Sequence, residues 1–352
     1  MPEITKYGDI TPRQAAFSIV NLLERAIPQM VLERFGQAYP IPRNNTKVAK
    51  WRRYFLEGAT GSAGTGEGDY NVPLATTPLQ EGVTPDGKKL SNKDYTKELQ
   101  QYGDFLTFTD VIEDTHEDFP QLLREMTDIL GEQAAHTIET LRFNVLKAGT
   151  NVYYANGDSR ADVNSPVSLT MQRRVTRSLK RQNAKPITQM MSSSPNYNTQ
   201  PIEAAFVAVC HPDVENDIRD MPDFISVKQY GPNVEAIDGE IGSVEDVRYI
   251  RSTVFEAWES EGGAADGGED GDPVLSSDET SADVYPILYL ARDAYGIVPL
   301  RGKESVDIMV VEPKATNVDP LAQRGTAGWK VWNATVILQD AFMVRAEVAA
   351  SE

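Results

Sequence analysis

Within the 352 residues, the string nearest to a chemical motif is Gly82-x-x-x-x-Gly87-Lys88-Lys89. A phosphate-binding loop needs consecutive backbone N–H donors, a lysine for the phosphates and then a Ser or Thr for Mg²⁺. Here Lys89 stands at the Ser/Thr position, Asp86 would set a carboxylate beside the phosphates, and Pro85 removes a donor. The segment from Thr84 to Lys89 therefore reads as an exposed turn. The glycines from Gly61 to Gly68 do not match G-x-G-x-x-G, and no apolar strand leads into them.

The histidines are His116, His136 and His211, with no H-E-x-x-H or H-x-x-x-H pair among them, so a metal centre is not expected. Cys210 is the single cysteine. It cannot form an intramolecular disulfide, and its neighbour His211 would point to the opposite face of a strand, so a buried thiol is expected. Asp270-x-Asp272 hints at a calcium loop, but Val274 and Leu275 fill the next ligand and glycine positions. No catalytic, cofactor-binding or metal-ligating residue emerges. The stretch Lys47 to Phe55 mixes Lys47, Lys50, Arg52 and Arg53 with Trp51, Tyr54 and Phe55, a pattern that could grip single-stranded nucleic acid. Against it stands the whole chain: 34 Lys+Arg and 52 Asp+Glu give a net charge of −18, which disfavours phosphate and anionic-membrane binding. A basic arm laid against an acidic neighbouring subunit is the preferred reading.

The elements that must carry these residues come from periodicity. Residues 11–35 have apolar positions at helical spacing, with Pro28 kinking them. Thr46 to Leu56 and Tyr95 to Ile112 read as extended legs of a hairpin-like excursion around the glycine-rich stretch. From Asp118, with Pro120 in the first turn, one apolar face continues to Leu146 before Gly149, a helix of about eight turns, roughly 45 Å long. A helix is expected at Leu169 to Arg181, a buried strand at Ala204 to Cys210, and a short helix from Pro212 to Asp220. Core strands are expected at Pro286 to Ala291 and Val306 to Val311, and strand pairing from Trp329 to Val348. Between Val254 and Asp283 there are acidic residues and no Lys or Arg, which reads as a solvated loop. Met1 to Val20 lacks the pattern of a secretory signal and no apolar run is long enough for a membrane span, so cytoplasmic synthesis is expected.

Taken in order, Leu23-Glu-Arg-Ala26, Arg34-Phe-Gly-Gln37, the run from Thr76 to Gly87, Gln101-Tyr-Gly-Asp104, Leu130-Gly-Glu-Gln-Ala134, Ala148-Gly-Thr150 and Ala184-Lys-Pro-Ile187 form a series. It continues through His211-Pro-Asp213, Gly239-Glu-Ile-Gly242, Asp293-Ala-Tyr-Gly296, the run from Asp319 to Arg324, and Gly328-Trp-Lys330. This series resembles the major capsid proteins of tailed bacteriophages with the Hong Kong 97-type fold, nearest to the coat proteins of podophages that carry a virion RNA polymerase. The resemblance implies an α+β fold with an N-terminal arm (1–42), an extended loop (43–112) and a peripheral domain (113–164) containing a spine helix (118–148). An axial domain (165–300) with the acidic insertion 254–283 follows, then peripheral return strands (301–352). It implies a shell protein and not an enzyme, with no cofactor, forming hexamers and pentamers of an icosahedral head around double-stranded DNA. The implied partners are further copies, a separate scaffolding protein, a portal protein and a decoration protein; the implied location is the virion, after synthesis in the host bacterial cytoplasm. A nanocompartment shell of the same fold and an acidic soluble enzyme are the alternatives.

Overall fold

A computed structural model describes residues 30–38, 41, 46–56, 75, 78–79, 81–84, 87–116, 118–191, 199–231, 236–265, 273–298, 307–315 and 319–352. Most of the first expected helix, the glycine-rich stretch Gly58 to Asn71, Pro85, Asp86 and Asp270-x-Asp272 lie outside these residues. Along the chain run β1 (Gln37–Ala38), β2 (Val48–Leu56), β3 (Leu90–Glu98), β4 (Gln100–Thr109), α1 (Asp110–Thr115), α2 (Phe119–Leu146) and β5 (Val152–Tyr154). Next come α3 (Leu169–Arg181), β6 (Ile187–Met191), β7 (Thr199–Cys210), α4 (Glu215–Asp220), β8 (Phe224–Ser226), β9 (Glu240–Val244) and β10 (Val247–Arg251). The last are β11 (Tyr285–Leu290), β12 (Tyr295–Ile297), β13 (Asp307–Val311), β14 (Arg324–Asn333), β15 (Thr335–Ile337) and β16 (Met343–Val348).

The centre is a mixed sheet in the order β5-β16-β11-β7-β10-β9-β8, with β6 on the flank of β7. β7 explains why it must be central: Phe206, Ala208 and Cys210 face one core while Val207 and Val209 face another, all of them buried. An unbroken apolar run of this kind needs cover on both faces. Met171, Val175 and Leu179 of α3 and Ile218 of α4 supply one cover. Phe143 and Leu146 at the end of α2, with Val31, Leu32 and Phe35, supply the other.

α2 begins where Asp118 accepts a hydrogen bond from the Gln121 backbone N–H (3.4 Å), with Pro120 in its first turn. Leu130, Ala134 and Ile138, spaced by one turn each, pack on Ala327, Trp329 and Val331 of β14. Further on, the same helix ends over the central sheet, where Gly149 lies so close to Met343 that a Cβ there would approach its Cε to 2.6 Å. One helix therefore ties the sheet β13-β14-β4 to the central sheet. Two smaller sheets complete the fold: β1-β12-β15 and the hairpin β2-β3.

Several expectations need correction. Met30 to Phe35 form a turn and not the end of a helix, closed by Arg34 N–H to Val31 O at 3.1 Å. The second extended leg stops at Thr109, because Asp110 accepts from the Val111 N–H (2.9 Å) and starts α1, which buries Ile112. β13 is not a core strand: it is the edge of its sheet, which among the described residues has α2 as its cover, and Ile308 to Val311 are all exposed. β16, expected among the peripheral return strands, and β5 both lie in the central sheet, since Met343, Val344, Ala346 and Val348 need burial on two faces. The acidic insertion is not wholly solvated. Phe255, Ala282 and Asp283 are buried, and Asp283 accepts from Ser260 N–H and Ser277 Oγ–H, both at 2.7 Å.

Candidate assembly surfaces

The basic strand β2 pairs antiparallel with β3, from Val48 opposite Glu98 to Leu56 opposite Leu90. Alternation puts Ala49, Trp51 and Arg53 on one face and Lys50, Arg52 and Tyr54 on the other. The first face lies on the body of the protein. Ala49 is buried with Ile41, Leu99, Val298 and Ala334, and the Trp51 ring sits against Gly296, where a Cβ would come within 2.6 Å of it. Glycine is the residue that permits this approach. Arg53 stands opposite Lys93, a like-charged pair relieved by Tyr95, whose ring centroid is 5.8 Å from the Arg53 guanidinium and 5.3 Å from Lys93 Nζ. Arg53 also donates to Gln339 Oε1 at 2.6 Å, which fastens the hairpin to the segment between β15 and β16.

On the outer face, Asp94 receives Arg52 in two hydrogen bonds (Nε to Oδ1 2.7 Å, Nη2 to Oδ2 3.1 Å) and Lys50 at 2.5 Å. Lys47 lies 3.7 Å from Glu98. The Arg52 and Lys50 hydrogen bonds hold the Asp94 carboxyl well below the usual carboxylate range. Lys47, Lys50 and Arg52 thus find acidic partners on the neighbouring strand of the same chain.

Away from α2, the sheet β13-β14-β4 presents a second surface. Met309, Gly328 and Phe105 form one row across it, and Val311, Thr326 and Thr107 form the next. Phe105 is 57% exposed, Val311 56% and Met309 49%. Phe105, Met309 and Val311 thus leave three large apolar side chains exposed on one sheet face.

A charge network built on a buried glutamate ties the acidic insertion to β16. Arg160 meets the fully buried Glu347 of β16 through Nε to Oε2 (2.7 Å) and Nη2 to Oε1 (3.0 Å), and reaches Glu261 at 2.7 Å. Its guanidinium lies 3.7 Å from the centre of the Trp258 ring. These hydrogen bonds raise the Arg160 pKa above its usual range. Sequence reasoning missed this network, because its members are far apart in the chain and belong to no spaced motif.

The residues considered for chemistry are dispersed. His116 follows α1, His136 lies within α2, and His211 caps the turn after β7, where it stands 3.0 Å from Asp213. Cys210 is buried, its Sγ 3.7 Å from Ile250 O, and burial pushes the thiol up. Gly82 occupies a left-handed turn (φ 78°) with open space around it. Among the described residues no group of three or more His, Cys, Asp or Glu side chains is placed to hold a metal ion.

A family profile described as phage capsid protein matches residues 94–346, from β3 to β16. The chain belongs to the phage capsid protein family. This is a family of structural proteins and not of enzymes. The major capsid protein of Pseudomonas phage KPP21 is 23% identical over 243 residues, covering 64% of this chain and 60% of that protein. The alignment therefore spans less than two thirds of that relative's length. Among solved structures, the capsid of Ralstonia phage GP4 superposes with a TM-score of 0.62 at 12% identity, covering 100% of this chain and 99% of that one. The capsid of cyanophage P-SCSP1u gives 0.55 at 13% identity, covering 96% and 94% of the two chains. The shared fold is the α+β capsid fold of the Hong Kong 97 type.

Proposed function

We propose that this capsid-family chain is the major shell protein of a tailed phage, that it assembles into hexamers and pentamers, and that these close into an icosahedral head around double-stranded DNA. The observation that carries the reading is the family match across residues 94–346, which includes α2 and runs through the central sheet into β16. The order of the sequence strings supports kinship with coat proteins of podophages that carry a virion RNA polymerase. A separate scaffolding protein, a portal protein and a decoration protein are the partners this reading asks for, with synthesis in the host cytoplasm before incorporation in the virion. The net charge of −18 suits a container that must not grip its cargo.

The division proposed within the chain is an N-terminal arm (1–42), an extended loop (43–112), a peripheral part around α2, and an axial part in 165–300. β5 and β16 are reassigned to the axial part because they pair within its sheet. Negative-stain electron microscopy and sedimentation velocity of the full chain, expressed with its neighbouring genes, test the proposal. Closed shells or six- and five-fold rings are expected. A homogeneous monomer under all assembly conditions would overturn it. A variant lacking Gly58 to Asn71 should remain a folded monomer that assembles poorly, and normal shells from it would remove the loop's assigned role.

A further inference from the structure

Glu139 lies in the second half of α2 on the side turned to residues 31–33, and its side chain is 1% exposed. Its Oε1 accepts from the backbone N–H groups of Val31 and Leu32, both at 2.8 Å. Oε2 has no hydrogen-bond partner among the described residues and stands 3.9 Å from Arg142 Nη1. Arg142, itself nearly buried, lies closer to Glu33 Oε2, at 3.2 Å. Tyr295 of β12 closes the third side, donating its hydroxyl to Leu32 O at 2.6 Å.

Among the described residues, the charged and titratable groups around Glu139 are Arg142 on its own helix, Glu33 on the segment it holds, and Tyr295 across from both. Burial keeps the tyrosine neutral through the physiological range. Glu33 competes with Glu139 for Arg142 and adds a like charge. One carboxylate oxygen is thus doubly satisfied, and the other is buried with no hydrogen-bond partner among the described residues, an arrangement that favours the neutral acid. Desolvation outweighs the help from Arg142 and the two N–H groups, and raises the carboxyl above its ordinary 4.5.

We propose that Glu139 is a protonation-dependent clasp on the root of the N-terminal segment, holding residues 31–33 against α2 more tightly as pH falls. Its sign follows from linkage. In the open state the carboxyl meets water and titrates at its ordinary value, below that of the clasped state. Proton uptake above that value consequently favours the clasped state, and deprotonation favours the open one. Neutral Glu139 keeps Oε1 as acceptor for both N–H groups.

Hydrogen–deuterium exchange of the full chain from pH 5 to pH 8.5, resolved to single amides and corrected for intrinsic rates, reads the clasp directly. Val31 and Leu32 protection should rise at least about threefold as pH falls through this range, while Ile250 in the central sheet stays level. Glu139→Gln, nearly isosteric, should keep high protection at every pH and lose the dependence. Glu33→Gln should move the wild-type transition to lower pH, because it removes a like charge and releases Arg142. Protection that is flat or falls toward acid, a Glu139→Gln variant that keeps the wild-type profile, or an unmoved transition in Glu33→Gln would each overturn the proposal. The Glu33→Gln variant decides the matter even if substitution of Glu139 prevents folding.

Discussion

The indole of Trp329 donates to Gln133 Oε1 at 2.9 Å, and the amide of the same glutamine donates to Asp104 Oδ2 at 2.7 Å. One side chain on α2 thus connects two neighbouring strands, β14 and β4. Replacing it with leucine keeps the bulk and removes both bonds. Gln133→Leu should lower unfolding free energy by about 1–2 kcal/mol, the cost of leaving the nearly buried indole N–H unpaired, as measured by urea denaturation followed by tryptophan fluorescence. An unchanged midpoint would mean that water replaces the amide.

Leu130 and Ile129 are adjacent on α2 but about a quarter-turn apart, the first 1% exposed and the second 46%. Leu130→Asp should abolish soluble folding, since it drives a carboxylate against Ala327, Trp329 and Val331. Ile129→Asp should yield folded protein at close to wild-type level. Equal soluble yields would contradict the assigned face.

Removing Arg160 leaves the buried Glu347 with Arg345 as its remaining cation, at 2.8 Å. Arg160→Ala should cost about 2 kcal/mol, because it removes two hydrogen bonds to a buried carboxylate that still keeps Arg345. It should also change Trp258 emission, since the guanidinium leaves the ring face. Calorimetry and fluorescence on one sample check both effects.

Asp94 is held as a carboxylate by Arg52 and Lys50, below its ordinary 3.8. A depressed carboxyl contributes to stability above its unfolded value and loses that contribution as pH falls through its lower folded value. The hairpin contacts should persist at pH 4 and weaken only in stronger acid. Carbon-detected NMR of the Asp94 carboxyl should show titration below the usual range, returning toward it in Arg52→Ala.

What the sequence revealed was whatever local pattern and core demand agreed upon. α3 is legible to the residue because Ser168 caps it (Ser168 Oγ to Met171 N–H, 3.2 Å) and its apolar face is periodic. β7 is legible because only a central strand tolerates an unbroken apolar run. Three of the strings that carried the family resemblance meet at Gln133, so their order reflected a contact that spacing could not show. β13 misled because Ile308 to Val311 are as apolar as a core strand, and exposure depends on which elements fail to cover them. The partner of the basic leg was invisible because it lies beyond the turn, at Asp94, and only register places it there.

The position of β16 sets an order on biosynthesis. It fills the place between β11 and β5 and pairs with both. While a ribosome is still adding the residues before Met343, α3 and β7 can already be outside the exit tunnel. They then wait beside an open slot in the sheet. Completion of the central sheet comes after synthesis of Val348, so a nascent chain lacks a finished core until β16 has been made.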